Sequence, residues 1–125
     1  MPEPISAFEY LSRFIVDKNH FRANHTIKHQ AFMPNNNGKT SVCRISGITD
    51  VEIWEIGLEV ARMRGKPLLG RADIRVFNIL SKSLVVAPTD PPPIRHADIV
   101  GWPDDKDQRI SIAQELAAES NPIFK

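Results

Sequence analysis

The chain has 125 residues, 42% of them apolar and 25% charged, with a formal net charge of +1. That balance excludes wholesale disorder and gives no global electrostatic drive toward nucleic acid or membrane. Cys43 is the only cysteine, which excludes an intrachain disulfide and a cysteine-based zinc site.

No apolar run is long enough for a transmembrane helix and there is no signal-peptide pattern, so a reducing cytoplasm is the expected location. The length predicts one domain spanning residues 1–125. A chain of this size buries roughly two-thirds of its unfolded surface, so it needs no metal or disulfide to fold.

Pro2 and Pro4 predict a loop or the first turn of a helix. Ala7, Phe8, Leu11 and Ile15 recur at helical spacing and predict a helix from about Ile5 to Leu11, while residues 12–16 read equally as helix or strand. Asp17 to His25 is polar and loop-like. Thr26 to Met33 reads as a strand, with Ile27, Ala31 and Met33 on one face. Asn35-Asn36-Asn37-Gly38 then supplies a hairpin turn that pairs this strand with Ser41–Ser46. In the second strand Cys43 and Ile45 share one face and Val42 and Arg44 the other.

The central helix, Thr49 to Arg64, is the most fully specified element. Thr49-Asp50-Val51-Glu52 fits a capping box, and Ile48 and Ile53 stand at the positions of a hydrophobic staple. Gly65 suits a left-handed C-terminal cap, and Arg62, Arg64 and Lys66 complement the helix dipole. Its apolar arc is wide enough to require cover on more than one side, and Trp54 reads as core.

Pro67–Gly70 connects to a strand from Ala72 to Leu80, and Ser81–Ser83 turns into Leu84–Ala87, a wholly apolar run that suits a buried central strand. Pro91–Pro93 must run extended. Ile94 to Val100 offers one more strand. Asp104 starts the last helix, in which Ile110, Ala113, Leu116 and Ala117 form the buried stripe. The order is α(or β)-β-β-α-β-β-β-α. It predicts a two-layer α+β fold, with an antiparallel or mixed sheet of about five strands carrying the central and C-terminal helices. Neither a dinucleotide-binding glycine motif nor a phosphate-binding loop is present.

Charge is unevenly spread. Basic residues dominate from Arg13 to His29 and from Arg62 to Arg75, and acidic ones from Asp98 to Glu119. These stretches either neutralise one another across the fold or leave a basic face for an anion. His20, His25 and His29 lack the spacing and the companion glutamate of a zinc site, so no metal or cofactor is expected.

His96 enters a strand from the proline run, and Asp98, two residues on, shares its face. Metal-independent RNA cleavage needs a base, an acid and cations around the phosphorane. His20 and His96 are the candidate catalytic pair, and Lys28, Ser41, Arg44 and Arg95 the candidate substrate-binding groups. The leading expectation is a small cytoplasmic enzyme acting on RNA or a nucleotide. The alternative is a non-catalytic interaction or oligomerisation module, with a homodimer or protein partner meeting the central helix, Trp102 and the proline run. Cys43 on the core side reads as inert, and Ser41 has no nucleophile-elbow glycines.

Overall fold

A six-stranded antiparallel sheet runs through the centre of the computed structural model, which describes residues 3–91 and 94–125. Its strands are β1 (Tyr10–Ile15), β2 (Thr40–Arg44), β3 (Gly70–Arg75), β4 (Val85–Pro88), β5 (His96–Val100) and β6 (Asn121–Phe124), in the spatial order β4-β5-β2-β1-β3-β6. The helices are α1 (Asp50–Arg64), the short α2 (Val76–Leu80) and α3 (Lys106–Glu119). The α+β class and the packing of the central and C-terminal helices on the sheet are as the sequence indicates.

Each sheet face has its own apolar cluster, because successive residues of a strand point to opposite sides. Leu11 and Ile15 of β1 join Ile79 of α2 and Ala113 and Leu116 of α3. Phe14 and Val16 join Cys43, Ile45 and the α1 residues Ile53, Ile56 and Ala61. On either side the packing is helix on sheet, two layers deep.

The local chemistry of α1 is realised in full. Glu52 N donates to Thr49 Oγ1 at 3.2 Å, Thr49 N donates to Glu52 Oε1 at 3.1 Å, and Gly65 caps the C-terminus at φ 65°. Losing the Thr49 cap costs about 1 kcal/mol. The first turns of α1 lie over β3, where Arg71 reaches Asp50 at 3.2 Å and stacks 4.7 Å above the Trp54 ring. Its middle lies on β1. A Cβ on Gly57 would sit 2.6 Å from the Phe14 ring, so only glycine allows this close approach. Its last turns reach β2 and β5.

Several expected elements differ. No helix forms over Ile5–Leu11. Phe8 is exposed at a turn closed by Glu9 N donating to Ser6 O, and Phe77 N and Val76 N donate to Ala7 O and Glu9 O, tying the segment to α2. Residues 12–15 resolve as strand, buried on both faces and so lacking alternation, and Val16 lies just past its end.

Thr26–Met33 is not a strand either. It is a loop with a 3-10 turn at His29–Ala31, and Ile27, Ala31 and Phe32 bury from it at an irregular spacing. The Asn35–Gly38 turn exists, with Gly38 N donating to Asn35 O and φ 78° at Gly38. It delivers the chain into β2, whose partners are β1 and β5. The expected strand Ala72–Leu80 breaks at Val76, where burial switches from alternation to the i, i+3 pair Val76 and Ile79.

β4 is an edge strand with Val85 half exposed, not a central one. The last helix begins at Lys106 and is capped by Asp105, whose carboxylate accepts from Gln108 N at 2.9 Å. β6, absent from the sequence reading, tolerates Pro122 because it is an edge. Trp102 is half buried against the α3-side core, its Nε1 donating to Ile99 O. Of the proline run, Pro92 and Pro93 lie outside the described residues.

Candidate functional site at the seam of the central strands

β1 and β2 are neighbours in mid-sheet, yet only Leu11–Arg44 and Ser12–Cys43 pair between them. Beyond Ser12, β1 continues alongside β3 to Ile15, while β2 stays with β5 back to Thr40. The sheet therefore splits between Arg13–Ile15 and Thr40–Val42. Backbone groups freed by such a split need partners. Arg13 supplies some of them, its Nη1 donating to Ser41 O at 2.9 Å and its Nε to Ala31 O at 2.8 Å.

Under the last turns of α1 the split opens into a cavity of about 240 Å³. Phe14, Val42, Cys43, Val60 and Met63 give it apolar walls, and Ser12, Arg13, Ser41, Arg64 and His96 are the other lining residues. Arg13 is only 7% exposed and is ion-paired to no carboxylate among the described residues. Burial is the main cause that holds its pKa down to about 10, and Arg64 adds to it. Its Nη2 makes no hydrogen bond to the described residues. Ser12 is fully buried and stands directly opposite Asp73, whose carboxylate its hydroxyl helps to hold down against burial. A buried charge without a counter-charge costs free energy.

Ser12 belongs to a rung of directly opposed residues, Asn121–Asp73–Ser12–Cys43–His96, that crosses five strands. Burial pushes the Asp73 carboxyl up, opposed by Ser12 and Arg71. Burial also pushes the Cys43 thiol up to about 12, so it stays protonated and is no nucleophile. At the far end, His96 Nδ1 shares a hydrogen bond with Thr89 Oγ1, and Nε2 lies 3.6 Å from Asp98 Oδ1. Burial first, then Arg64, lowers the His96 pKa against the pull of Asp98, which keeps the ring neutral near pH 7.

Of the six residues singled out from sequence, Ser41 and His96 meet at this cavity. His96 also borders a second, more polar hollow of about 650 Å³ with Arg44 and Arg95. Both arginines are engaged there. Arg44 makes a two-pronged pair with Glu9, Nε to Oε1 at 2.8 Å and Nη2 to Oε2 at 2.9 Å, and also donates to Glu3 O and Pro4 O. Arg95, at φ 63°, donates to Arg44 O and Ser46 O.

His20 and Lys28 line neither hollow. They neighbour each other through the Lys28 N to His20 O hydrogen bond, and His20 Nε2 stands 4.0 Å from Asp17. Burial lowers the His20 pKa, with Arg13, Lys66 and Arg64 adding to the effect and Asp17 opposing it.

Arg13, Ser12 and Arg64 are the site residues that sequence reasoning misses. Arg13 carried one signal, a lone arginine inside the run Leu11–Val16 that otherwise suits a buried strand. Among the described residues no three His, Cys, Asp or Glu side chains group as metal ligands, and no helix is long and apolar enough to cross a membrane. Compared with known proteins, the chain matches no family model, no curated protein and no solved structure.

Proposed function

We propose that this chain binds a small organic anion in the seam cavity, with the Arg13 guanidinium facing the anionic group. The observation that carries the reading is the buried arginine without a carboxylate partner among the lining residues of an apolar-walled cavity. Ligand pockets commonly combine apolar walls with a few convergent polar groups. Arg64, exposed at the mouth, adds attraction. With one cysteine, buried and protonated, a reducing cytoplasm is the setting we propose.

Thermal unfolding of the purified protein with a panel of carboxylates, phosphates and nucleoside monophosphates tests this against sodium chloride at equal ionic strength. At least one class raises the midpoint, and Arg64→Ala weakens that response several-fold, about the effect of one charge-assisted contact. No stabilisation by any of them ends the proposal. Hydrolysis of RNA or of a nucleotide has His96 as its acid–base group at this cavity. Incubation with RNA in EDTA supports that activity if cleavage disappears in both His20→Ala and His96→Ala. The interaction-module reading is favoured by Val51, Leu58 and Met63, which α1 leaves exposed. A sizing measurement that finds only monomer at high concentration counts against a homodimer.

A further inference from the structure

Outside the seam cavity, we propose that Thr89 is an activated nucleophile that takes the acyl group of a small uncharged ester, with His96 as its base and Asp98 positioning the imidazole. The three side chains are brought together by strand pairing. Thr89 stands just past the end of β4 and opposite His96, to whose carbonyl its N–H donates at 3.0 Å. Asp98 is two residues beyond His96 on β5 and so shares its face.

The hydrogen bonds fix the roles. Asp98 Oδ1 lies 3.6 Å from His96 Nε2, which favours the tautomer with its proton on Nε2. Nδ1 is then the bare nitrogen, and Thr89 Oγ1 stands 2.5 Å from it, donating its proton there. A hydroxyl, an imidazole base and a carboxylate behind the base form the arrangement that activates a weak oxygen nucleophile. Burial holds the His96 pKa below its ordinary 6.5 against the pull of Asp98, so the ring is neutral at pH 7 and free to accept a proton. The backbone entering this strand is strained and tied down. Arg95, directly before His96, sits at φ 63° while its side chain donates to Arg44 O and Ser46 O.

Thr89 and His96 both line the hollow of about 650 Å³, a size usual for small-molecule sites. Glu9 neutralises Arg44 there, and Glu3 and Asp90 then outnumber Arg95, so the hollow does not favour an anion. Pro91 and Ile94 add apolar lining for the acyl chain. In the reaction Thr89 Oγ1 bonds to the ester carbonyl carbon as its proton passes to His96 Nδ1. The bond to the leaving oxygen breaks, and His96 returns the proton to the departing alcohol. Water repeats the sequence on the acyl group, giving a carboxylic acid and restoring the Thr89 hydroxyl.

The test is incubation of the full chain with p-nitrophenyl acetate, reading nitrophenolate release and locating the acetyl group by peptide mass spectrometry. Acetyl is expected on Thr89. His96→Gln keeps the hydroxyl but slows acylation of Thr89 at least ~10-fold, the usual worth of a general base. Thr89→Ser retains acylation at residue 89, whereas Thr89→Val loses the release it accounts for. The wild-type rate rises with pH and is half-maximal below pH 6.5. In Asp98→Asn that midpoint moves lower, because the carboxylate no longer favours the protonated ring, with Arg64 of α1 still opposing it. Absence of acetyl at Thr89 in the wild type, undiminished acylation in His96→Gln, or an inert Thr89→Ser overturns the proposal. An unshifted pH profile in Asp98→Asn overturns the role given to Asp98.

Discussion

Two arginines are buried on neighbouring strands, and their surroundings are opposites. Arg71 of β3 is 4% exposed and charge-compensated, with Asp73 at 3.2 Å, Asp50 at 3.2 Å and the Trp54 ring beneath it, although its Nη1 has no hydrogen-bond partner among the described residues. Arg13 of β1 is 7% exposed and has two backbone carbonyls, a second arginine nearby and no acid. Both are strand residues under or beside α1, so burial alone does not distinguish them. Compensation does. Arg71 has its counter-charge within the fold and belongs to the scaffold. Arg13 lacks one, and a fold tolerates that where something else supplies it.

The contrast can be broken most directly by the same substitution at both places. Arg71→Met leaves Asp73 buried without its cation and is expected to cost about 3 kcal/mol in urea denaturation. Arg13→Met orphans Ala31 O and Ser41 O but also removes an uncompensated charge. It is expected to cost less, about 1–2 kcal/mol. Equal losses would mean that Arg13 is as much scaffold as Arg71.

A gentler probe is pH, because the two regions have opposite signs. His96 has a folded-state pKa below its ordinary 6.5. As pH falls from there to the lowered value, the unfolded chain takes up the proton first and stability drops. Asp73 has a folded-state pKa above its ordinary 3.8. The folded chain takes up that proton first, so stability at this group is gained as pH falls through the raised value toward 3.8. Urea midpoints of His96→Gln and Asp73→Asn, each compared with wild type across pH 4 to 8, should therefore diverge in opposite directions. Parallel profiles would contradict the pKa assignments.

The same contrast explains what the sequence made legible. α1 was readable because its determinants are local: Thr49 and Glu52 are three residues apart, and Gly65 closes the helix by its own conformation. The α+β class followed from the pattern of elements. Strand neighbours did not, since β1 and β5 flank β2 from distant parts of the chain. The Asn35–Gly38 turn is a sound local signal that pointed to a pairing the non-local sheet overrides.

Among site residues, Ser41 and His96 were within reach because they are polar side chains on short strands. Arg44 and Arg95 looked equally free in sequence and prove to be bound to Glu9 and to backbone carbonyls. Arg13 reads in sequence as one charge of a basic stretch, and Ser12 as an unremarkable residue of an ambiguous segment. Their importance comes from the split beside them, which depends on two strands that are far apart in the chain.

That split has a mechanical consequence. The strands β4, β5 and β2 form one ladder and β1, β3 and β6 another, and between them stand two residue pairs, the adjoining Ile45 N to Tyr10 O bond and the Arg13 strut. Across its middle the six-stranded sheet is a pair of three-stranded leaves hinged at one end. α1 lies over both leaves, as a splint lies across a joint. Amide exchange at the open end of the joint, around Ser41 and Val42, should then report how far the leaves part.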